Sequence, residues 1–332
     1  MTARVGVIGL GRIGSRYDQG KVGKVPRSHV GAILGSRQCK LVGVCDLAEE
    51  GLRTFRADWG DQAPGYRSVA SFLTGCSPDV AVLATPAETH ARLIRQLIAH
   101  PARPRLVFCE KPFGRDFREA RALAQLCARA GVLVVVNFHR RWDRRFAALA
   151  ARCARLGPPE SVIVTYRKGL LNYGSHLVDV LMQLFGPIAS VCGERQEPSS
   201  HGLSDPSLSA QLKFASGAVA RMIGVDGVAY ELLDFELYFK SFRYRLNLGG
   251  YTVEEFRPSR GGHYVGYVTL PERGKVLANG PVSGLREAYR ELPRILAGRS
   301  KVPYATAASA VDVHRVLEAI RKSSRSGKRV RV

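Results

Sequence analysis

The chain has 332 residues, 45% of them hydrophobic, which is enough for two ordinary domains with a sizeable core. No apolar run approaches the roughly 18 residues a membrane span needs. The first residues, MTARVGVIGL, run straight into a strand pattern without a cleavage-site signature, so a cytoplasmic protein is expected. Seven cysteines without a C-x-x-C spacing, and histidines without H-E-x-x-H, predict neither a disulfide framework nor a metal site. The formal net charge is +22. Basic residues concentrate at Arg140, Arg141, Arg144, Arg145, Arg152 and Arg155, and again at Arg321, Lys322, Arg325, Lys328, Arg329 and Arg331. Neither group is interleaved with stacking aromatics, so a nucleic-acid partner is not expected. A solvated basic surface and a phosphate-bearing substrate account for the charge equally well.

In chain order, ARVGVIG (3–9) reads as an apolar strand with a helix starting at Arg12. KLVGVCD (40–46) is a second strand, followed by helical character over 48–58 and a weak strand near Tyr66. DVAVLAT (79–85) precedes a helix over 87–99, and RLVFCE (105–110) precedes an amphipathic helix over 116–130 that ends at Gly131. VLVVVN (132–137) is the last strand of this series. Strand–helix alternation with nearly continuous apolar strands predicts a doubly wound parallel sheet covered on both faces. A helix over 138–155 then leads to a Gly157-Pro158-Pro159 break. Beyond it come a strand at 161–167, a helix at 173–185, and strands at 188–194, 207–215, 218–226, 231–240 and 243–249. Strands in succession predict a largely antiparallel, open sheet. Helices near 281–297 and 305–322 close the chain, and 196–206 is its most loop-like stretch. The fold class is therefore α/β. Residues 1–137 form a Rossmann dinucleotide-binding domain. Residues 138–332 form a substrate and oligomerisation domain whose C-terminal segment is able to pack back on the first.

Gly9-Leu10-Gly11-Arg12-Ile13-Gly14 is a complete G-x-G-x-x-G placed after a strand. The first glycine permits the tight turn, the second lets a pyrophosphate approach, and the third allows close packing. Backbone N–H groups of this turn, around Arg12 and Ile13, are suited to an anion. Asp46 ends the second strand, where a carboxylate binds the adenosine ribose. It favours NAD over NADP, because it repels a 2′-phosphate; NADP is not excluded. The interval from Gly14 to Asp46 is about 30 residues rather than roughly 20. An insertion over 17–27 accounts for the surplus.

Three further motifs follow strand ends: Thr85-Pro86-Ala87-Glu88-Thr89-His90, Glu110-Lys111-Pro112, and Gly174-Ser175-His176-Leu177-Val178-Asp179. With these the chain resembles the glucose–fructose oxidoreductase / inositol dehydrogenase (Gfo/Idh/MocA) family. The resemblance places Thr85, Pro86, His90, Glu110 and Lys111 along the cofactor and implies a cis bond before Pro112. It implies that Lys111 polarises the substrate oxygen and that His176 is the general acid/base. Such roles suit an ammonium and a near-neutral imidazole. Asn172 departs from the aspartate often found four residues before the histidine. Asn172 can position a hydroxyl but cannot exchange a proton, and Tyr173 is an alternative helper. Asp179 is as readily an ion-pair residue as an orienter of His176. Arg140 and Arg141 are candidate substrate ligands. The implied activity is hydride transfer at a secondary carbinol carbon of a sugar or cyclitol, phosphorylated or nucleotide-linked if the arginines take part. A dimer or tetramer is expected by the same resemblance. A non-catalytic NAD-binding regulator is the main alternative, and reduction of an imine-like substrate is another.

Overall fold

The structure, a computed structural model, describes residues 2–194, 204–260, 266–282, 284–300 and 304–332. Of the loop-like stretch at 196–206, residues 196–203 lie outside the described residues. By compactness the chain divides into two units, Met1–Asp143 with Ser283–Asp312, and Arg144–Val282 with Val313–Val332. The first unit therefore extends past the expected boundary at 137 and takes in a C-terminal segment.

The first unit contains β1 (Ala3–Ile8), α1 (His29–Leu34), β2 (Cys39–Cys45), α2 (Glu49–Trp59), β3 (Gly65–Tyr66) and α3 (Val69–Cys76). It continues with β4 (Val80–Leu83), α4 (Ala87–Ala99), β5 (Leu106–Cys109), α5 (Phe117–Arg129) and β6 (Leu133–Val136). The sheet order is Ala305–Thr306, β6, β5, β4, β1, β2, β3, and only the Ala305–Thr306 edge is antiparallel. Every residue of β4 and β5 is buried, as continuous apolar runs require in a sheet covered on both faces. The order reverses between β1 and β4. Their carboxyl ends therefore open a crevice at a topological switch point, the usual ligand position in open α/β sheets.

The second unit contains α6 (Arg144–Leu156), β7 (Ser161–Tyr166), α7 (Ser175–Phe185), β8 (Ile188–Gly193) and β9 (Ala210–Phe214). It adds β10 (Val219–Gly224), β11 (Leu233–Phe239), β12 (Phe242–Asn247) and β13 (Thr252–Phe256). The nine-stranded sheet runs Lys275–Asn279, β13, β12, β11, β7, β10, β9, β8, Val330–Arg331. All its pairs are antiparallel except β10 with β7. Alternate residues of β7 and β11 are buried, as in a sheet with one covered face. Tyr166, Phe214, Phe235, Tyr244 and Phe256 fill that covered side. The C-terminal helix α8 (Gly284–Leu296) belongs to the first unit, where Tyr289 and Leu292 are fully buried in one cluster with Val5, Val30 and Leu41. The last helix, α9, is Ala307–Ser326. Among the described residues, no helix is long and apolar enough to cross a membrane.

Two expected helices differ. The segment 138–155 is a 3-10 turn at His139–Trp142 and then α6, separated at Asp143, which is extended (φ −82°, ψ 125°). Asp prefers that non-helical position ahead of a helix. No regular helix starts at Arg12. Turns lead into a 3-10 turn at Arg16–Asp18, and α-helix begins only at His29.

Candidate dinucleotide site and catalytic residues

The three glycines of the first turn meet three different surroundings. Gly9 has φ +94°, and a Cβ there would lie 2.8 Å from the Ala84 carbonyl oxygen. At Gly14 a Cβ would fall 2.0 Å from the Gly9 carbonyl oxygen. At Gly11 a Cβ would meet nothing within 4 Å. Gly9 and Gly14 thus serve the fold of the turn, while Gly11 leaves open the space a ligand would fill. The N–H groups of Gly9 and Leu10 are bonded to Cys45 and Asp46. Among the described residues, those of Gly11, Arg12, Ile13 and Gly14 make no intramolecular bond, so four donors are available for a diphosphate.

The helix behind this turn is split. His29 and Val30 donate to the carbonyls of Ile13 (2.9 Å) and Gly14 (3.0 Å). In an unbroken helix those donors would sit four residues on, at 17 and 18. An insertion of about twelve residues, counted by that helical register, therefore loops out while the helix resumes in step. This restores the roughly 20-residue spacing to Asp46. Asp18 closes the neck of the loop by accepting from the N–H groups of Arg27 and Ser28 and from the Ser28 hydroxyl. Ser28 caps α1 through Gly31.

Asp46 accepts from Leu10 N–H at 2.8 Å and from Ala48 N–H at 2.9 Å, which fixes its carboxylate at the end of β2. A cavity of about 310 Å³ lies against Gly9, Gly11, Asp46, Leu47, Thr85, Pro86, Thr89 and Arg92. Polar Asp46, Thr85 and Thr89 together with apolar Leu47, Val69 and Leu93 suit a ribose and a flat base. The Arg67 side chain reaches the Leu47 carbonyl and Glu49, beside Asp46. Arg92 was not foreseen, because only the fold carries this part of α4 to the cavity.

His90 needs correction as a cofactor ligand. Its ring is fully buried, with its nitrogens 3.0 Å from the Thr85 carbonyl oxygen and 3.1 Å from that of Pro112. Burial holds it below the ordinary imidazole value, and a neutral ring donates to one of these two carbonyls. Thr85 and Pro86 do line the cavity, and Thr85 accepts from Thr89 Oγ1 at 2.7 Å. Glu110 faces inward: its Oε1 accepts from Asn137 Nδ2 (2.6 Å) and lies 3.0 Å from His29 Nε2. Burial alone would raise the Glu110 carboxyl, but the His29 and Asn137 bonds, with Lys111 nearby, hold it below the usual value. Lys111 is half-buried, and its bond to Pro112 is cis.

Arg140 is buried and Arg141 half-buried on the 3-10 turn after β6. Burial and the adjacent Arg140 push His139 down to about 3, which makes it no proton carrier near neutrality.

In the second unit, β7 is followed by a π-helical turn, Gly169–Gly174, that runs directly into α7. Such turns recur at functional sites. Asp205 holds this turn by accepting from Leu171 N–H (2.9 Å) and Asn172 N–H (3.0 Å), and Arg321 pairs with Asp205 at 3.4 Å. Asn172 is exposed, while His176 and Asp179 are buried in the first turns of α7. Tyr173 donates to Glu231 at 2.8 Å, Lys168 pairs with the same carboxylate, and the Lys168 ammonium lies 5.2 Å from the Tyr173 ring centre. Burial and the bond to Glu231 hold Tyr173 above the ordinary phenol value, so it stays protonated. Among the described residues no group of His, Cys, Asp and Glu is arranged to hold a metal ion.

Residues 3–138 match the Gfo/Idh/MocA family model, described as an oxidoreductase family with an NAD-binding Rossmann fold. The inositol 2-dehydrogenase of Rhizobium meliloti (strain 1021) is 30% identical over 169 residues, 50% of this chain and 46% of that protein. The D-apiose dehydrogenase of Paraburkholderia graminis is 26% identical over 193 residues, 52% of this chain and 50% of that protein. The chain thus spans about half the length of these curated relatives. A crystal structure of the WlbA dehydrogenase from Bordetella pertussis, in complex with NADH and UDP-GlcNAcA, shows the same fold. It has a TM-score of 0.74 at 21% identity, over 100% of this chain and 98% of that one. Residues 3–138 are thus similar to the NAD-binding Rossmann part of the Gfo/Idh/MocA oxidoreductase family.

Proposed function

We propose that the chain is a dehydrogenase or reductase that moves a hydride between NAD(H) and a secondary carbinol carbon of a sugar, sugar derivative or cyclitol. The observation that carries this reading is the open glycine turn at Gly11, with four unpaired N–H donors, in a chain 30% identical over half its length to an inositol 2-dehydrogenase. NAD supplies the hydride acceptor or donor. The chain's own groups do the rest. Gly11, Arg12, Ile13 and Gly14 hold the diphosphate, and Asp46 holds the ribose and disfavours a 2′-phosphate. Lys111 stabilises negative charge growing on the substrate oxygen, and His176 takes or returns the hydroxyl proton. Asn172 positions a second hydroxyl. Tyr173 is a substrate contact rather than an acid, since its hydroxyl is committed to Glu231. Arg141, and Arg140 if it turns outward, would favour a phosphorylated or nucleotide-linked sugar. The enzyme works as a dimer or tetramer in the cytoplasm.

The test is a panel of inositols, hexoses, sugar phosphates and nucleotide sugars, read by the absorbance of reduced nicotinamide. Lys111→Ala should lower kcat by about 10²–10³, the range of a lost oxyanion donor, with NAD affinity nearly unchanged. NAD binding without turnover of any panel member, and a Lys111→Ala variant indistinguishable from the parent, would favour a regulatory NAD-binding protein. The exposed Asn172 in place of an acid is what keeps that second reading open.

A further inference from the structure

The inserted loop delivers one more group to the lysine motif. His29, the first residue of the resumed helix, is fully buried in the first unit and uses both ring nitrogens. Nδ1 lies 2.7 Å from the Tyr289 hydroxyl of α8, and Nε2 lies 3.0 Å from Glu110 Oε1. Asn137, just after β6, donates to the same oxygen at 2.6 Å. Two elements distant in sequence therefore meet on one carboxylate, a third backs them through His29, and the residue after that carboxylate is Lys111. The rings around it are fixed edge to face. His29 meets Phe108 at 5.5 Å and Tyr289 at 5.9 Å, and Phe108 meets Trp142 at 6.2 Å.

The chemistry fixes one end of this chain of bonds. A carboxylate only accepts, so His29 Nε2 carries the proton it shares with Glu110. The other ring nitrogen shares a 2.7 Å bond with the Tyr289 hydroxyl. Burial pushes Tyr289 well above the ordinary phenol value, which keeps that hydroxyl protonated. The bonded series Tyr289, His29, Glu110 ends on a carboxylate whose next residue in the chain is Lys111. A simple core contact would be served by an apolar residue at lower desolvation cost.

We propose that His29 is a positioning residue for the Glu110-Lys111 pair. With Tyr289 behind it and Asn137 beside it, His29 holds the Glu110 carboxylate and with it the chain segment that carries Lys111. The inference rests on the dehydrogenase reading only for its catalytic consequence; the placement of Lys111 is measurable without turnover.

The experiment compares His29→Leu, His29→Gln and Tyr289→Phe with the parent, each first checked for thermal unfolding and for NAD affinity by calorimetry. The glutamine variant keeps an N–H donor toward Glu110, and the leucine variant does not. Lys111 reactivity is then followed as the pH dependence of its acylation by an amine-directed reagent, quantified by peptide mass spectrometry. Expected is a displaced Lys111 profile in His29→Leu, recovery in His29→Gln, and a smaller displacement in Tyr289→Phe. On a turned-over substrate, His29→Leu should lose about tenfold or more in kcat, as a slightly misplaced group would. Its KM for NAD should change little. A folded His29→Leu protein whose Lys111 reacts as in the parent overturns the proposal. If the profile shifts as expected but no panel substrate is turned over, the positioning role stands and the dehydrogenase reading fails. Should the leucine variant not fold, the glutamine and phenylalanine variants decide by the same profile: Tyr289→Phe displaced and His29→Gln parental supports the role, and both parental overturns it.

Discussion

Two strand-to-helix turns do different work in this molecule. The turn after β1, Gly9–Gly14, offers backbone N–H groups to a ligand and spends its glycines on shape. The turn after β7, Gly169–Gly174, spends its backbone internally. Asp205 takes the N–H groups of Leu171 and Asn172, and the turn presents side chains instead. A site made of backbone leaves little choice of residue, because any Cβ at Gly14 collides with a carbonyl oxygen. A site made of side chains can exchange them without altering the turn. The cofactor is accordingly legible in this sequence, and the substrate is not.

The sharpest way to break this contrast is His176→Ala, in the first turn of α7, directly after the side-chain turn. It should lower kcat by about 10²–10⁴, the usual share of a general acid/base. Calorimetric NAD affinity should stay at the parent's value; a joint loss would mean the two turns are not separable. Next in size is Gly14→Ala. No flexible side chain can yield to the new Cβ, so thermal unfolding should report a loss of about 1–3 kcal/mol, with NAD affinity falling too. Gly11→Ala sharpens the same point with a smaller effect. Open space receives its methyl group, so the melting temperature should hold while Kd for NAD rises about tenfold, or ~1.4 kcal/mol. If Gly11→Ala melted early instead, the turn would not be the open cradle described.

The smallest effect concerns the second sheet alone. Burial would raise Glu236, but its bonds to Arg243 (2.6 Å) and Arg245 (2.9 Å) hold its carboxyl below the usual value. A depressed folded-state value stabilises above the unfolded glutamate value of about 4.3 and loses that stability as pH falls through the folded value. Glu236→Gln should therefore flatten stability against pH below about 4.3 by no more than ~1 kcal/mol, the pair being partly exposed. An unchanged slope in urea titrations across that range would show the pair to be energetically silent.

Periodicity located most of the fold. The helix expected at 87–99 is α4 to the residue, because an amphipathic stripe follows a Pro that cannot continue the strand ladder. The buried runs of β4 and β5 were equally plain. What failed was anything decided by distant partners. The helix expected at Arg12 is assembled from two pieces joined through Ile13 and His29, and local pattern cannot show that. Lys275–Asn279 was missed because its exposed faces carry little alternation, and β13 because two adjacent glutamates, one of them buried, break its apolar pattern. His90 was read from its motif as a ligand, yet both its ring nitrogens face main-chain carbonyls. His29 carried no signal beyond a serine cap before an apolar segment.

The neck of the inserted loop has a practical consequence. The bonds that keep the helix in step run from His29 and Val30 to Ile13 and Gly14, and Asp18 stitches the neck shut, so the helix register does not depend on the apex, which Arg286 of α8 reaches by donating to the Lys24 carbonyl at 3.1 Å. Lys21 and Lys24 stand exposed there, within reach of trypsin. A single cut at that apex should leave a two-piece chain that migrates as one particle, and grafting a short peptide tag between them should cost the molecule almost nothing.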